Sequence, residues 1–186
     1  MQFQPLEILH EVDRDDEQCR IRFSLNDFAE REKASYLDAL FYYWSALSGG
    51  GRAIPRLADF HPSDVFDSRT CHWIRAIDVS AGRPEGYVVL DHHSKLPAPL
   101  PDGMHGRLLT DFPSRMHVEA TIREYTQCRN LKLPAYHEIN QIVCGVPRHY
   151  TRLLLPLADD RGDVVRLAYG VVKQKLNQGL ETVSAA

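Results

Sequence analysis

Histidine gives this chain its widest chemical scope: it occurs nine times in 186 residues, and a neutral imidazole can ligate a metal or move a proton near pH 7. The densest group is Asp91-His92-His93, with His72 on a segment able to pair beside it. Successive side chains on a strand point to opposite faces, so His92 and His93 enter one site only through a bulge. Neither HxxxH nor HExxH spacing occurs, which argues for surface or loop histidines over a metal centre. Acid–base catalysis needs carboxylates and imidazoles within hydrogen-bond reach. Asp78, Asp91, His72 and Glu138 are the residues that a small α+β enzyme of isomerase or dehydratase type would have to bring together.

Other reactive types are thinner. No GxSxG motif occurs, and Cys19, Cys71, Cys128 and Cys144 lie far apart with no CxxC, the pattern of free thiols in a reducing compartment. Gly49-Gly50-Gly51 lacks the Lys-Ser/Thr that completes a phosphate loop. Arg148, His149 and Arg152 fall on or beside one strand, with Arg129 and Lys132 near in sequence. They read as a solvated basic edge or as a contact for an anion or a partner, since guanidinium forks suit carboxylates and phosphates.

The elements that position these residues follow from patterning. Arg148–Val172 reads as two strands around a turn at Asp159, Asp160 and Gly162, with Pro156 closing the first strand. Val165, Leu167, Tyr169 and Val171 share one face of the second. Such a hairpin needs further strands or a helix over its apolar face. Residues 1–23 read as a loose extension or a short strand from Arg20 to Phe23. A helix is expected from Asn26 to Leu47, capped at Ser24 or Asn26 and stopped by the three glycines. Its Tyr36, Phe41, Tyr42, Tyr43 and Trp44 either pack on their own domain or lend part of their surface to a second subunit. A short helix is expected near Pro62, then strands at Cys71–Val79 and Tyr87–His92. A Pro/Gly-rich loop follows at Ser94–Gly106, then one helical turn to Phe112. A long helix runs from Ser114 to about Asn130 with Val118, Ile122 and Tyr125 on one face, and a strand covers Tyr136–Cys144. Two strands, helical pieces and three strands predict an α+β fold: one five-stranded antiparallel sheet with helices on one face.

Composition sets bounds. The chain is 44% hydrophobic and 25% charged with a net charge of −3, so no global field favours nucleic acid or an anionic membrane. The N-terminus has neither a basic start nor an apolar signal core, and no stretch suits a transmembrane helix, so a cytoplasmic location is expected. Residues 1–23 are expected as an extension, 24–52 as a flanking helix, 53–175 as the main domain and 176–186 as a tail.

Over residues 35–172 the chain resembles the PAS domains, and more narrowly the proteobacterial PAS family with a helical N-terminal lead-in. The resemblance is carried first by Trp44 and the glycines after it, Pro55-Arg56, Asp59-Phe60, Pro62 and Asp64. Gly106, Leu109 and Asp111-Phe112 continue it, and Tyr150, Arg152, Leu153-Leu154-Leu155-Pro156-Leu157 and Gly162 complete it. One departure is that the strand Tyr87–His93 has no glycine after Gly86, where the family usually carries one. The resemblance implies a sensory or protein-interaction module without catalytic activity, and it names no cofactor. It implies a small-molecule pocket, placed here at Trp73, Ile77, Tyr87, Val89, Ile122, Tyr125, Leu153 and Tyr169. It further implies a homodimer through the flanking helix at Phe41, Tyr42, Tyr43 and Trp44, and a protein signalling partner. A haem-binding member would use one axial histidine, His117 or His105.

Overall fold

A computed structural model of the chain describes residues 4–13, 16–71, 73–91, 106–112, 114–143 and 146–173. His72, His92, His93, His105 and Cys144, and most of the expected loop and tail, lie outside them. Among the described residues, seven strands form one antiparallel sheet. They are β1 (Glu7–Asp13), β2 (Asp16–Phe23), β3 (Ile74–Asp78), β4 (Val88–Asp91), β5 (Ala135–Val143), β6 (Val146–Ala158) and β7 (Val164–Lys173), in the order β1-β2-β5-β6-β7-β3-β4.

The fold is α+β, as the element order predicts, but the sheet has two strands more than expected and is covered on both faces. The reason is visible in β6. Its Leu153, Leu155 and Leu157 enter one buried cluster while Leu154 enters another. A strand buried on both sides shows a continuous apolar run rather than alternation. Pro156 does not close this strand. It lies beyond Leu154, where β5 begins at Ala135, so on that side its missing N–H forfeits no ladder bond. Its carbonyl accepts instead from Trp44 Nε1 at 2.9 Å. At the β6–β7 turn, Asp159 Oδ1 accepts from the amides of Arg161 and Asp163, and Gly162 takes a positive φ.

The single helix expected over Asn26–Leu47 is two helices, α1 (Leu25–Arg31) and α2 (Tyr36–Leu47). Ser24 caps the first by accepting from the Asp27 amide, and Ser35 caps the second by accepting from that of Asp38. Ala34, at φ 62°, turns the chain between them. Leu37, Leu40 and Trp44 are buried against β6 and β7, with Phe41 and Tyr43 packed at the margin of the same cluster. Of the four residues expected at a dimer interface, Trp44 is buried, Phe41 and Tyr43 are partly buried against the chain's own core, and Tyr42, 66% exposed, points outward. β3 begins at Ile74 opposite Gly170, and beyond that pair the Tyr36 hydroxyl satisfies Val171, donating to its carbonyl and accepting from its N–H.

Of the two alternatives for the N-terminal segment, the strand is the one found: Arg20–Phe23 forms the end of β2. β1 and β2 form a hairpin whose second strand pairs with β5 from Glu17↔Ile142 to Phe23↔Tyr136. The sheet thus runs through the boundaries expected at residues 23 and 52. On the opposite face lie α4 (Arg115–Leu131), capped by Ser114 and ended by Lys132 in the left-handed region, and a short α3 (Ser68–Cys71) precedes β3. A one-turn 3₁₀ segment at Pro62–Asp64 stands where a short helix is expected, and another covers Leu109–Asp111.

Gly170 lets α2 approach β7: a Cβ there would lie 2.5 Å from Leu37 Cδ2 and 3.0 Å from Leu40 Cδ2. Gly170→Val is therefore expected to cost about 1–3 kcal/mol through overpacking, read as a lower urea midpoint at unchanged slope. Trp44→Ala should cost about 3–5 kcal/mol, whereas Tyr42→Ala should stay within about 0.5 kcal/mol. Equal losses at both positions in equilibrium unfolding would contradict the burial assigned to Trp44.

Candidate functional site

Antiparallel pairing places residues of four strands in rows across the sheet, and every second row faces α4. One such row is Glu7, Arg22, His137 and Arg152, and the next is Leu9, Arg20, Ile139 and Tyr150. A third carries Glu11, Gln18, Gln141 and Arg148. On α4, His117, Thr121 and Glu124 follow at spacings of four and three, which puts them on one helical face above these rows. The result is a polar layer inside the fold: Gln18, Arg20, Thr121, Glu124, His137, Gln141 and Arg152 are all buried.

Glu124 is the hub. Its Oε2 accepts from Arg20 NH1 at 2.7 Å and from Arg152 NH2. Arg20 continues the network, donating from Nε to Gln18 Oε1 at 2.9 Å and from NH2 to Thr121 Oγ1 and Gln141 Oε1. The Arg20 NH2 also lies 2.9 Å from His117 Nδ1, and that ring nitrogen is 3.0 Å from Gln141 Oε1. Gln18 anchors the far end with its amide donating to Glu11 and to the Met116 carbonyl. The Arg152 guanidinium also lies 5.1 Å from the centroid of Tyr125.

The electrostatics follow from this packing. Burial alone would raise the Glu124 carboxyl, but Arg152 and Arg20, with His137, outweigh it and hold the group down at about 2. Burial, with Arg20 next, pushes His117 down to about 3. Burial pushes His137 down to about 4 against the pull of Glu124, whose Oε1 stands 3.9 Å from His137 Nε2. For Arg152 burial is outweighed by Glu124, so the guanidinium is more firmly charged than usual. A carboxylate and two neutral imidazoles are thereby fixed in one protonation state across the neutral range.

Of the eight residues expected to line a pocket, the structure brings six into one packed cluster. Ile77, Tyr87, Val89, Tyr125 and Tyr169 belong to one buried cluster beneath the other half of α4, with Ile122 packed against it. The Tyr125 and Tyr169 rings are 6.3 Å apart, and the Tyr87 hydroxyl meets Thr126 Oγ1 at 3.2 Å. Leu153 faces away, into the cluster under α2, because its parity on β6 is opposite to that of Leu154. Trp73 is half-buried at the edge of the sheet, with Lys173 Nζ 5.7 Å from its ring centroid.

Of the acid–base set, Asp78 and Glu138 do not converge, while His72 and the Asp91 side chain lie outside what is described. Asp78 pairs with Arg166 at 3.4 Å on β3–β7, whereas Glu138, on β5, is bound to Arg31 and to His149 Nε2 at 3.0 Å. Strands β6 and β7 separate them, a span of about 14 Å at the usual strand spacing. His117, an axial-ligand candidate, has its Nδ1 engaged by Arg20 and Gln141. The basic residues do not share an edge: Arg148 is exposed, Arg152 is buried, and Lys132 donates to the Gly162 carbonyl at 2.9 Å. Arg129 NH1 donates to Asn130 Oδ1. Among the described residues no group of three His, Cys, Asp or Glu is placed to hold a metal ion. Cys19, Cys71 and Cys128 are free thiols, and burial pushes Cys128 up to about 12.

Sequence reasoning overlooked Arg20, Glu124, His137 and Gln141. The available signal was Gln18-x-Arg20-x-Arg22, alternating with Cys19, Ile21 and Phe23, together with His117, Thr121 and Glu124 on one helical face.

No family model matches the chain, and no curated protein or solved structure matches it.

The buried imidazoles make stability depend on pH. The unfolded chain binds protons at His117 and His137 near their ordinary value of about 6.5, while the folded chain resists until about 3 and 4. Stability should therefore be full above about pH 6.5 and fall as the pH drops toward 4. The depressed Glu124 extends the loss below its ordinary value of about 4.5. Urea midpoints measured from pH 7.5 down to pH 4.5 should decline, and His137→Gln should flatten the decline. A midpoint insensitive to pH over this range would contradict the buried neutral rings.

Proposed function

We propose that this chain is a PAS-like sensory or protein-interaction module that binds rather than transforms its ligand. One observation carries the reading. The titratable residues gathered at its polar centre are locked into single protonation states by burial and ion pairing, Glu124 ionised and His117 and His137 neutral. A general acid or base works best with a pKa near the operating pH, and these three lie well below it. Groups held in this way position charge for recognition.

The order of elements supports the same reading. Two strands, β3 and β4, are followed by a helical turn at Leu109–Asp111 and the long α4, and then by β5, β6 and β7. These five strands are contiguous in the sheet, with α4 across one face. α1 and α2 on the other face, and the β1–β2 hairpin at the edge, are additions to that set. No helix among the described residues is long and apolar enough to cross a membrane, and the proposed setting is the cytoplasm. The partners proposed are a small molecule and a signalling protein, with self-association through surface other than Trp44.

Native mass spectrometry of the protein purified from its own host tests this directly. A retained small molecule, a second subunit or a co-purifying protein is expected. A bare monomer that turns over a substrate would overturn the reading.

A further inference from the structure

The polar layer reaches solvent through a cleft between α4 and the β1–β2–β5 part of the sheet. Its walls include Arg123 and Gln127 from the helix, Glu7 from β1 and the half-buried Arg22 from β2, together with the buried His137 and Glu124. The cations here are unequally committed. Arg20, also on the wall, is fully engaged with Glu124, Gln18, Thr121 and Gln141. The Arg22 side chain makes no hydrogen bond or ion pair with another described residue, and the Arg123 side chain has only Glu11, at 3.9 Å. His137 is 3% exposed, yet its Nδ1 has no hydrogen-bond partner. A buried polar atom without a partner carries a desolvation cost unless something in the cleft meets it.

The charges favour an anion as that occupant. The Glu124 carboxylate is already shared by Arg20 and Arg152, so its charge is offset from within. Glu7 is the remaining acid of the lining, opposite Arg22 in the β1–β2 register, and the Arg123 guanidinium is held only by the long contact to Glu11. The enclosed part of the cleft is about 20 Å³, little more than a water molecule requires, and its mouth is open. Room for about one water-sized group means that a single oxygen of a ligand's head enters, with the rest of the head at the mouth.

We infer that this cleft binds the terminal oxyanion, carboxylate or phosphate, of a small molecule, gripped by Arg22 and Arg123 above the imidazole of His137. The two forks supply charge-assisted hydrogen bonds, and the neutral His137 ring, in its Nδ1–H tautomer, donates a further one from the floor. The remainder of the ligand lies outside, against Gln127 and Glu7. The inference rests on the ligand-binding reading above and assigns that ligand its chemical class.

The test is a titration of the intact protein with inorganic phosphate, acetate or chloride at constant ionic strength. It is followed by the Arg side-chain Nε–H resonances and by calorimetry, for the wild type and for Arg22→Gln and Arg123→Gln. Saturable millimolar binding of phosphate or acetate is expected, shifting two Arg Nε–H signals, with affinity reduced at least about tenfold in each variant. The phosphate and acetate arms identify which oxyanion is preferred. Arg123 is half-exposed on α4, so its replacement keeps the test decisive even where Arg22→Gln impairs folding. Chloride matching the oxyanions, or Arg123→Gln binding as the wild type does, would overturn the inference. A failure here beside a ligand or partner retained in native mass spectrometry would sink this site and leave the broader reading standing.

Discussion

Two guanidinium groups, from Arg20 on β2 and Arg152 on β6, lie beneath α4 against one carboxylate, that of Glu124. Removing three charges from water costs several kcal/mol each, and their mutual attraction repays this only when the geometry is good and the remaining donors are used. Here Arg20 uses its other N–H groups on Gln18, Thr121 and Gln141. The arrangement therefore acts on placement. If β2 slipped by one residue, Arg20 would turn to the other face and leave Glu124 with one partner. The ion cluster thus joins three elements far apart in sequence, and it fixes where the β1–β2 hairpin can attach.

That constraint divides the space under α4 into two unlike halves. Over β7, β3 and β4 the helix meets Tyr169, Leu167, Ile77 and Val89, an apolar packing in which Tyr125 and Cys128 take part. Over β2 and β5 it meets Arg20, His137 and Gln141. One helix serves both because Glu124 and Tyr125 are adjacent in sequence, about 100° apart around its axis, and point toward different halves. The apolar half supplies cohesion. The polar half leaves charge near a solvent opening, and the proposed recognition role follows from that asymmetry.

Much of the fold was legible. The β6–β7 hairpin, the capping Ser114 and the glycines after α2 gave local signals strong enough to stand without tertiary help. The division of α1 from α2 was written in Ser35-x-x-Asp38, a second capping signature embedded in what reads as one apolar period. Two-sided coverage was encoded in the run Leu153-Leu154-Leu155. The polar centre was harder to read for a physical reason: alternation tells which residues share a face of a strand but not which face is covered. In β2 the charged positions 20 and 22 look like the solvent side of an edge strand. Arg20 lies inside and Arg22 is half-buried because α4 crosses this face, a contact spanning about a hundred residues of sequence that no local pattern carries. Leu153 was misassigned to the pocket through the same gap between parity and coverage.

The central claim is that Glu124 is the shared counter-ion of Arg20 and Arg152 and so holds α4 to the sheet. A double-mutant cycle in equilibrium urea unfolding at pH 7, with Glu124→Gln and Arg20→Met made singly and together, tests it most directly. Glu124→Gln alone should cost about 3–5 kcal/mol, since it strands two buried charges, and the double variant should lose less than the sum of the two single losses. Single losses within about 0.5 kcal/mol, or losses that simply add, would contradict it.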